Sequence, residues 1–148
     1  MALLVRRVKV TDLPVLEAIE KESLKRFPGR KGWMETYRKS VERALADEPE
    51  GILVAEQDSK VVGAIIVQQR GKHAVTQQVY GALLGLTVSE KARGTGIGKR
   101  LLKEAEAYLK ARGCQSLALR LPADAGSDAQ LFQDSGFQVV AWELEKPL

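Results

Sequence analysis

The chain has little cysteine and histidine, and it has no long apolar run. The single cysteine, Cys114, cannot form an internal disulfide, and with only one histidine, His73, it cannot supply a local Cys/His metal motif. No segment is apolar over the span of a membrane helix, and the first residues lack the hydrophobic block of a signal peptide. We therefore expect a cytoplasmic protein with no metal centre and no membrane partner.

What the chain does contain is the composition of an ordinary globular protein. Its 148 residues are 45% hydrophobic and 28% charged, values that favour a packed core over disorder. No internal repeat, low-complexity tract or linker divides the sequence. The length fits one domain, which we assign to residues 1–148.

Positive charge is concentrated in one segment. Between Ser89 and Arg112 there are seven basic and three acidic residues, so this segment alone carries the +4 excess of the whole chain. Such a segment attracts anionic ligands. Nucleic acid is the alternative partner, but the excess is modest and no helix-turn-helix, zinc or RNA-binding signature accompanies it. We therefore do not expect a nucleic-acid partner.

Hydrophobic periodicity and turn residues predict an α+β domain. The predicted order is strand, two helices, three strands, helix, strand, helix and strand. The strands are expected over 4–10, 52–56, 61–68, 77–88, 116–121 and 137–146, and the helices over 15–24, 33–45, 97–112 and 127–136. The hairpin in the middle is antiparallel, whereas the later strand–helix–strand crossovers imply parallel pairing. We expect a mixed twisted sheet with helices on both faces.

The most informative stretch is Arg93-Gly94-Thr95-Gly96-Ile97-Gly98, which lies between an apolar strand and a long amphipathic helix. Glycine at alternate positions leaves the backbone bare where the helix begins. Unpaired N–H groups at such a turn, with the positive end of the helix dipole behind them, bind anions such as a pyrophosphate. The sequence therefore predicts a phosphate-binding turn at this position.

Two common phosphate motifs do not fit this turn. A Walker A loop requires Gly, four residues and then Gly-Lys-Ser/Thr, but Arg93 stands five residues before Gly98 and Arg100 follows Lys99. A dinucleotide fingerprint requires Gly-x-Gly-x-x-Gly in the first strand–helix unit, and this turn lies past the middle of the chain with a different spacing. Both loop types are excluded.

A third pattern fits the turn and its surroundings. Arg93 to Gly98 reads Arg-x-x-Gly-x-Gly, and the strand before it ends in Leu86-Thr87-Val88. Downstream stand Leu101-Leu102, Ala129-x-Leu131-Phe132 and Ser135-Gly136-Phe137. In this order and spacing the chain resembles the GNAT family of acyl-CoA-dependent N-acetyltransferases over nearly its whole length. The alternative is a loop glycine cluster beside a solvated basic helix end.

The resemblance implies a site for acetyl-CoA as cosubstrate. The coenzyme-site residues that it implies are Leu86, Thr87, Val88, Arg93, Gly94, Thr95, Gly96, Ile97, Gly98 and Lys99. It implies that amides of the turn hold the pyrophosphate, and that the strand end hydrogen-bonds the pantetheine arm like an added strand. A splay between this strand and the one over 116–121 would open a slot for the thioester, whose carbonyl a backbone N–H near Leu86 polarises. Arg93, Lys99 and Arg100 are implied charge partners of the phosphates, with solvated surface the alternative for Arg100.

The acid and base groups that relatives use are absent. Many members carry a tyrosine acid four residues before the Gly-Phe pair, where this chain has Phe132. Ribosomal-protein acetyltransferases use a glutamate and an asparagine, at positions that fall on Arg120 and Ala125, and histone-type members use a glutamate, at the position of Ala82. The resemblance therefore argues against both of these subfamilies, and it leaves the catalytic residues unknown.

Substitutes for these groups remain open. Tyr80 shares strand parity with Ala82 and Leu86 and is the candidate acid or base, with a half-buried strand tyrosine as the alternative. Asp124 and Asp128 are expected to cap the last helix.

Two residues have a plain structural interpretation, and one further segment is expected near the acceptor. We expect His73 to be an exposed loop residue, and we expect no nucleophilic role for Cys114. Glu22 and the segment 27–33 lie where the family forms its acceptor wall. Arg26, Arg30 and Lys31 there favour an acidic acceptor, with solvated surface as the alternative.

Two functions and one assembly follow from these observations. The leading hypothesis is an N-acetyltransferase that passes an acetyl group from acetyl-CoA to a primary amine, of a small molecule or a peptide, in a ternary complex. The alternative is a non-catalytic acyl-CoA-binding or regulatory module, because the usual acid and base are missing. Twelve residues follow Gly136, whereas the family usually ends in two strands with a loop between them, so either 139–146 contains a very tight pair of strands or one strand is missing. A partner subunit that completes the sheet edge would make a homodimer.

Overall fold

The computed structural model describes residues 3–26 and 29–148, and it shows a five-stranded sheet flanked by helices. The strands are β1 (Leu3–Arg7), β2 (Ile52–Gln57), β3 (Lys60–Lys72), β4 (Val79–Val88) and β5 (Ser116–Ala118). The α-helices are α1 (Leu13–Leu24), α2 (Trp33–Asp47), α3 (Ile97–Ala111) and α4 (Ser127–Asp134). The predicted order of elements is confirmed as far as α4.

The sheet is mixed, as expected. Its order is β1-β2-β3-β4-β5, with antiparallel pairing from β1 to β4 and parallel pairing of β4 with β5 across α3. The hairpin between β2 and β3 turns through Asp58 and Ser59, both of which have positive φ (51° and 65°), the conformation of a tight type I′ hairpin turn. This chain order places β4 between β3 and β5, where the glycine turn follows it.

Helices cover both faces of the sheet. The face of α1 and α2 buries the side chains of alternate residues of β2 and β3 against the helices; these are Ile52, Val54, Ala64 and Ile66. The other face packs against the apolar stripe of α3 and against Phe132 of α4. The buried residues of that stripe are Ile97, Leu101, Leu102, Ala105 and Leu109. The predicted helical face of α3 is therefore confirmed, and it sets the position of the turn that precedes it.

A charged cluster fixes the start of α1 to the sheet. Arg6 of β1 donates to both carboxylate oxygens of Asp12 (2.8 and 3.0 Å) and to Glu56 of β2 (2.7 Å). Asp12 is buried and also accepts from the N–H of Lys9 (2.7 Å). The bond from the Arg6 guanidinium, more than the burial that opposes it, lowers the pKa of Asp12. The carboxylate stays charged at neutral pH, so α1 is anchored where it crosses the sheet.

The structure differs from the sequence-based prediction at the chain's later strands and caps. β5 ends at Ala118, and the residues over 137–148 form no strand, so the predicted strand over 137–146 is wrong. With β5 so short, its edge offers few backbone partners for a further strand. Gly126, which has no side chain, occupies the N-cap of α4. Phe27 and Pro28, which belong to the segment 27–33 between the first two helices, lie outside the described residues.

Candidate active site

β4 is divided into two halves by its pairing. The closed half, residues 79–82, pairs with β3 through Val79, Gly81 and Ala82 and with β5 through Tyr80, Gly81 and Ala82. The ladder to β5 ends at Ala82 opposite Ala118, but the ladder to β3 continues to Val88. Residues 83–88, the open half, are therefore paired on one side only. Pairing between the two parallel strands therefore stops where the splay was predicted, and one edge of the open half has no strand partner among the described residues.

A β-bulge lies at the junction of the two halves. Val67 of β3 pairs with Leu83 and Ile66 pairs with Gly85, so Leu84 is an extra residue without a partner on β3. Such a residue bends the strand and shifts the alternation of its side chains. Ala82 and Thr87 consequently lie on the α1/α2 face of the sheet, whereas Leu86 packs with the α3 core.

This bulge corrects the expected parity of Tyr80. Tyr80 shares the α1/α2 face with Ala82, but Leu86 lies on the opposite face, so the predicted common parity is wrong. Tyr80 belongs to the closed half, opposite Ser116 of β5, and its ring contacts that of His73 edge-on at 4.9 Å. Six residues of strand separate it from Leu86, roughly 20 Å at about 3.3 Å per residue. This position argues against Tyr80 as the acid or base.

The backbone of the open half presents polar groups to the splay. The N–H of Ser89 donates to the carbonyl of Val62 (2.8 Å), which identifies these opposing residues as a hydrogen-bonded pair. Because such pairs alternate along an antiparallel ladder, Thr87 also bonds to β3, while Leu86 and Val88 point their N–H and C=O groups away from it. Arg93 donates to the outward carbonyl of Val88 at 3.2 Å, in agreement with this direction.

The glycine turn joins the open half to α3. Gly94 and Gly96 have φ of 75° and 86°, in the left-handed region that favours glycine, and a Cβ added at either position would meet no other atom within 4 Å. The Thr95 hydroxyl donates to the carbonyl of Ala92, which closes the turn. In the described part of the chain, none of the backbone N–H groups of 94–99 donates to an acceptor. Such consecutive free donors at a helix start are the geometry that an anion requires.

Basic side chains surround this turn, and two of them have protein partners. Arg93 is half-buried and spans from Val88 to Ser23 of α1, whose hydroxyl is 3.4 Å from its Nη2. Arg100 donates to Glu104 one helical turn later at 3.1 Å, whereas Lys99 is exposed at the first turn of α3. The field of the turn is positive, and the helix dipole adds to it.

The last turns of α1 are fixed to this region by three hydrogen bonds. Glu22 accepts from the N–H of Glu90 (2.7 Å) in the short 3-10 turn that leads to the glycines. Ser23 contacts Arg93, as described above. Glu20 accepts from the hydroxyl of Thr87 in the open half (2.9 Å). Glu22, expected in an acceptor wall, therefore holds the segment that leads into the glycine turn.

Glu20 also contacts α2. Its second carboxylate oxygen accepts from the indole N–H of Trp33 at 2.8 Å, so the carboxylate joins α1, α2 and β4. Tyr37 lies one turn beyond Trp33, and burial together with the charges of Glu20 and Glu17 raises its pKa. Sequence reasoning missed Glu20 because its partners are 13 and 67 residues away. No local pattern marks such a group.

The positions of the missing acids and bases are occupied by structural residues. Phe132 is buried and packs edge-on against Phe137, with ring centroids 5.4 Å apart. Arg120 is exposed and pairs with Glu143 of the chain end at 3.6 Å, and Ala125 is buried. Phe132 and Ala125 pack in the core, and Arg120 forms a surface ion pair. None of the three offers a group that can act as the acid or base of the reaction.

The remaining candidates have protein partners of their own. Arg30 pairs with Asp124 at 2.7 Å, and Arg26 pairs with Asp128 at 3.7 Å, so these charges join the segment after α1 to the start of α4. Because both arginines are paired with aspartates of the protein, they no longer support the expected preference for an acidic acceptor. The two aspartates do not cap α4.

The two residues with a plain structural interpretation lie away from the splay. His73 is half-buried rather than exposed, and its Nδ1 accepts from the N–H groups of Val75 and Thr76. Burial, with a smaller contribution from Glu48, raises the pKa of Cys114, which opposes a nucleophilic role.

Comparisons with known proteins agree with this geometry. The model of the acetyltransferase (GNAT) family matches residues 16–137. A curated acetyltransferase of Photorhabdus laumondii is 35% identical over 92 residues, which cover 62% of this chain and 58% of that protein, so the chain spans little more than half of this relative. N-alpha-acetyltransferase 30 of Schizosaccharomyces pombe is 28% identical over 109 residues, 73% of this chain and 71% of that protein.

A solved structure extends the likeness to the whole fold. The structure of AAC(6′)-Iy in complex with the bisubstrate analogue CoA-S-monomethyl-acetylneamine superposes with a TM-score of 0.78, covering 100% of this chain and 99% of that one, at 16% identity. At this identity the likeness concerns the fold alone. Within the described residues, no helix is both long and apolar enough to span a membrane.

Proposed function

The chain belongs to the GNAT family of acetyltransferases, and from this premise we propose that it transfers the acetyl group of acetyl-CoA directly to a primary amine in a ternary complex. The observation that carries the proposal is the open half of β4, which runs without a partner on one edge into the free amides of 94–99. An extended ligand arm with a phosphate at one end fits this arrangement, because it needs strand-like hydrogen bonds and then an anion site.

The chain's own groups divide this work between them. We assign the pyrophosphate to the amides of 94–99, with Lys99 and Arg93 supplying positive charge. The outward N–H groups of Leu86 and Val88 bind the pantetheine arm, and that of Leu86 polarises the thioester carbonyl. A donor of this kind lowers the barrier because negative charge develops on the carbonyl oxygen in the transition state. Coenzyme A leaves as a thiolate, which is stable enough near neutral pH that no tyrosine is needed at Phe132.

The experiment compares the two glycines at the ends of α3. Gly96 precedes the helix with φ of 86°, and Gly113 follows it with φ of 84°; a Cβ at either meets no atom within 4 Å. Valine at each position therefore costs a similar strain, about 1–2 kcal/mol. We expect Gly96→Val to weaken acetyl-CoA binding in calorimetry by roughly 100-fold, as a cradle of several hydrogen bonds is displaced. Gly113→Val should bind as the wild type does, and equal affinities for both variants would refute the site.

The same preparation separates the enzyme from a binding module. Release of free CoA is followed with a panel of primary amines, namely phenethylamine, spermidine, glucosamine and trialanine. Turnover that depends on one of them supports the enzyme. Tight acetyl-CoA binding without such release from any amine favours the non-catalytic module, which the buried Phe132 in place of an acid also suggests.

We further propose that the chain forms a homodimer through the edge at β5. β5 is the last strand of the described sheet, and the residues after α4 leave large apolar side chains in solvent, with Trp142 83% and Leu144 91% exposed. Apolar side chains that are exposed beside this short edge, rather than its few free backbone groups, form the surface that a second copy covers. Light scattering at working concentration should give twice the chain mass, and Trp142→Glu should return it to the monomer. A monomeric wild type contradicts the dimer.

A further inference from the structure

The source of the base is open, because no position considered from the family resemblance carries one. An acceptor amine is largely protonated at neutral pH and must lose a proton before it attacks a thioester. Phe132 is a core residue, and Tyr80 lies in the closed half of β4. A base for this chain therefore has to come from another element that faces the open half.

We propose that Glu20 binds the acceptor as its ammonium form and takes the proton that it must lose; this rests on the proposed function. Glu20 is half-buried on α1, and each of its carboxylate oxygens accepts one hydrogen bond. Trp33 donates to Oε1 at 2.8 Å and Thr87 donates to Oε2 at 2.9 Å. A carboxylate has about four acceptor sites, so two donors orient the group and leave room for a third.

The position of Glu20 matches that of an acceptor. Thr87 directly follows Leu86, whose outward N–H is the proposed partner of the thioester carbonyl, and its side chain faces α1. Gly85, two residues earlier, shares this face, and a Cβ there would find only Ile66 within 4 Å. The α1/α2 side of the open half thus carries only a glycine at 85 and a threonine at 87 next to a fixed carboxylate, and we assign the approach of the amine to this side.

The charges around Glu20 favour a cation. Among the described residues no Lys or Arg pairs with it, whereas Glu17, one turn earlier on α1, is paired with Arg38 at 2.7 Å. From α2, Tyr37 is the titratable group that interacts with Glu20; a tyrosine is neutral near pH 7, and the raised pKa of Tyr37 keeps it neutral in alkaline solution as well. From the β4 side, Arg93 is the one cation described near this part of α1, and it donates to Val88 and Ser23 rather than to Glu20. An ammonium group gains more from an unpaired carboxylate than from a paired one.

The proton and electron balance of the step is simple. Glu20 takes a proton from the ammonium, and the neutral nitrogen forms a bond to the thioester carbon. The carbon–sulfur bond breaks, and its electron pair leaves with the sulfur as the thiolate of CoA. Attack leaves the nitrogen positively charged, and it loses its second proton through solvent to the thiolate. The proton held by Glu20 passes to solvent, so the carboxylate is restored for the next turnover.

The test is Glu20→Gln, which keeps the shape and both hydrogen bonds. The amide oxygen accepts from Trp33, and the amide nitrogen donates to the hydroxyl of Thr87, which rotates to accept. We expect kcat at pH 7 to fall by roughly 100-fold, as for loss of a general base, with acetyl-CoA affinity within twofold. Activity should recover toward alkaline pH, where the free amine needs no base. A purely structural role for Glu20 does not produce that recovery.

Glu17→Gln is the matched control, since it removes a carboxylate from the same helix that is already paired. It should keep kcat within threefold. If Glu20→Gln also keeps kcat within threefold while the wild type turns over, the Glu20 proposal is overturned and the proposed function stands.

A second readout decides the proposal without turnover. Calorimetry of the same four amines against the CoA-saturated protein should show binding that Glu20→Gln weakens by roughly 10-fold, a loss typical of one charged hydrogen bond. If the wild type binds amines without releasing CoA, the proposed function fails while the ammonium site is supported. If the variant binds them as well as the wild type, or the wild type binds none, the proposal for Glu20 is overturned.

Discussion

The two halves of β4 belong to one strand but use their backbone groups differently. The closed half, 79–82, is paired on both sides, and its Gly81 lies against Leu109 of α3. The open half, 83–88, is paired with β3 alone and ends at a turn whose amides have no acceptor in the described chain. The first half uses its backbone to hold the sheet together, and the second leaves its backbone available to a ligand.

A single extra residue, Leu84, lies at the boundary between the two halves. Leu84 bends the strand at the point where pairing with β5 stops, and it reverses which side chains face α1. Without it, a regular strand would carry the hydrogen bonds of the closed half onward. The comparison teaches that the stability of the sheet and the openness of the site are set within a few residues of one another, so they should be separable by mutation.

Deletion of Leu84 should have the largest effect on this difference. The pairs on either side of the bulge, Leu83 with Val67 and Gly85 with Ile66, then become consecutive, so the ladder to β3 is preserved. The strand loses its bend, and the outward N–H of Leu86 moves relative to the phosphate turn. A displacement of about 1 Å costs about 100-fold in rate, so we expect turnover to fall by at least that factor. Urea unfolding measured alongside should show that the domain remains folded.

The control for this deletion is Leu84→Ala. Leu84 is 43% exposed, so truncation removes a side chain that contributes little to the core while the bulge remains. We expect turnover close to that of the wild type. If the deletion and the truncation behave alike, the bulge does not set the geometry of the site, and the division of β4 has another cause.

Alanine at the two glycines of β4 should have opposite effects on stability. A Cβ at Gly81 would lie 2.5 Å from Cδ1 of Leu109, which is itself buried, so Gly81→Ala should lower the free energy of unfolding by about 1–3 kcal/mol. At Gly85 the nearest atom, Cδ1 of Ile66, is 3.9 Å away. Gly85→Ala should be neutral or raise stability by up to about 1 kcal/mol, because alanine restricts the unfolded chain.

Denaturant titration of both variants measures this contrast directly. The expected order of midpoints is Gly85→Ala at or above the wild type and Gly81→Ala below it. Equal losses at both positions would mean that the open half is packed as tightly as the closed half. The proposed slot would then have no space on the α1/α2 side.

Much of this organisation was predictable because it depends on local patterns. The period of two in β2 and β3, the turn at Asp58-Ser59 and the apolar stripe of α3 each report on neighbours in sequence. The glycine turn belongs to the same class, since bare backbone before a helix has few other uses. These features were enough to predict the mixed sheet and a glycine turn with free amides before α3; that this turn binds phosphate stays a prediction.

The features that were missed depend on distant contacts. No sequence signal marks Leu84 as a bulge, because its apolar character fits a regular strand, and so the parity of Tyr80 and Leu86 was predicted wrongly. The Arg30–Asp124 ion pair joins residues 94 apart, and the Thr87–Glu20 bond joins residues 67 apart. The strand expected over 137–146 failed for a related reason, since a strand exists only where an edge receives it.

The smallest effect is expected from Thr87→Val, which tests how the open half holds its carboxylate. Valine keeps the branched shape that suits a strand but removes the donor to Glu20, so the free energy of unfolding should fall by about 1 kcal/mol or less. Trp33 still orients the other oxygen, so kcat should fall by less than about 10-fold, a modest part of a general base's usual contribution. Stopped assays of kcat for Thr87→Val, Glu20→Gln and the wild type, run side by side, measure the difference between the two variants. Suppose that Thr87→Val lowers kcat as much as Glu20→Gln does, and that Glu20→Gln regains no activity at alkaline pH. The carboxylate then matters for its position in the fold and not for the proton that it takes.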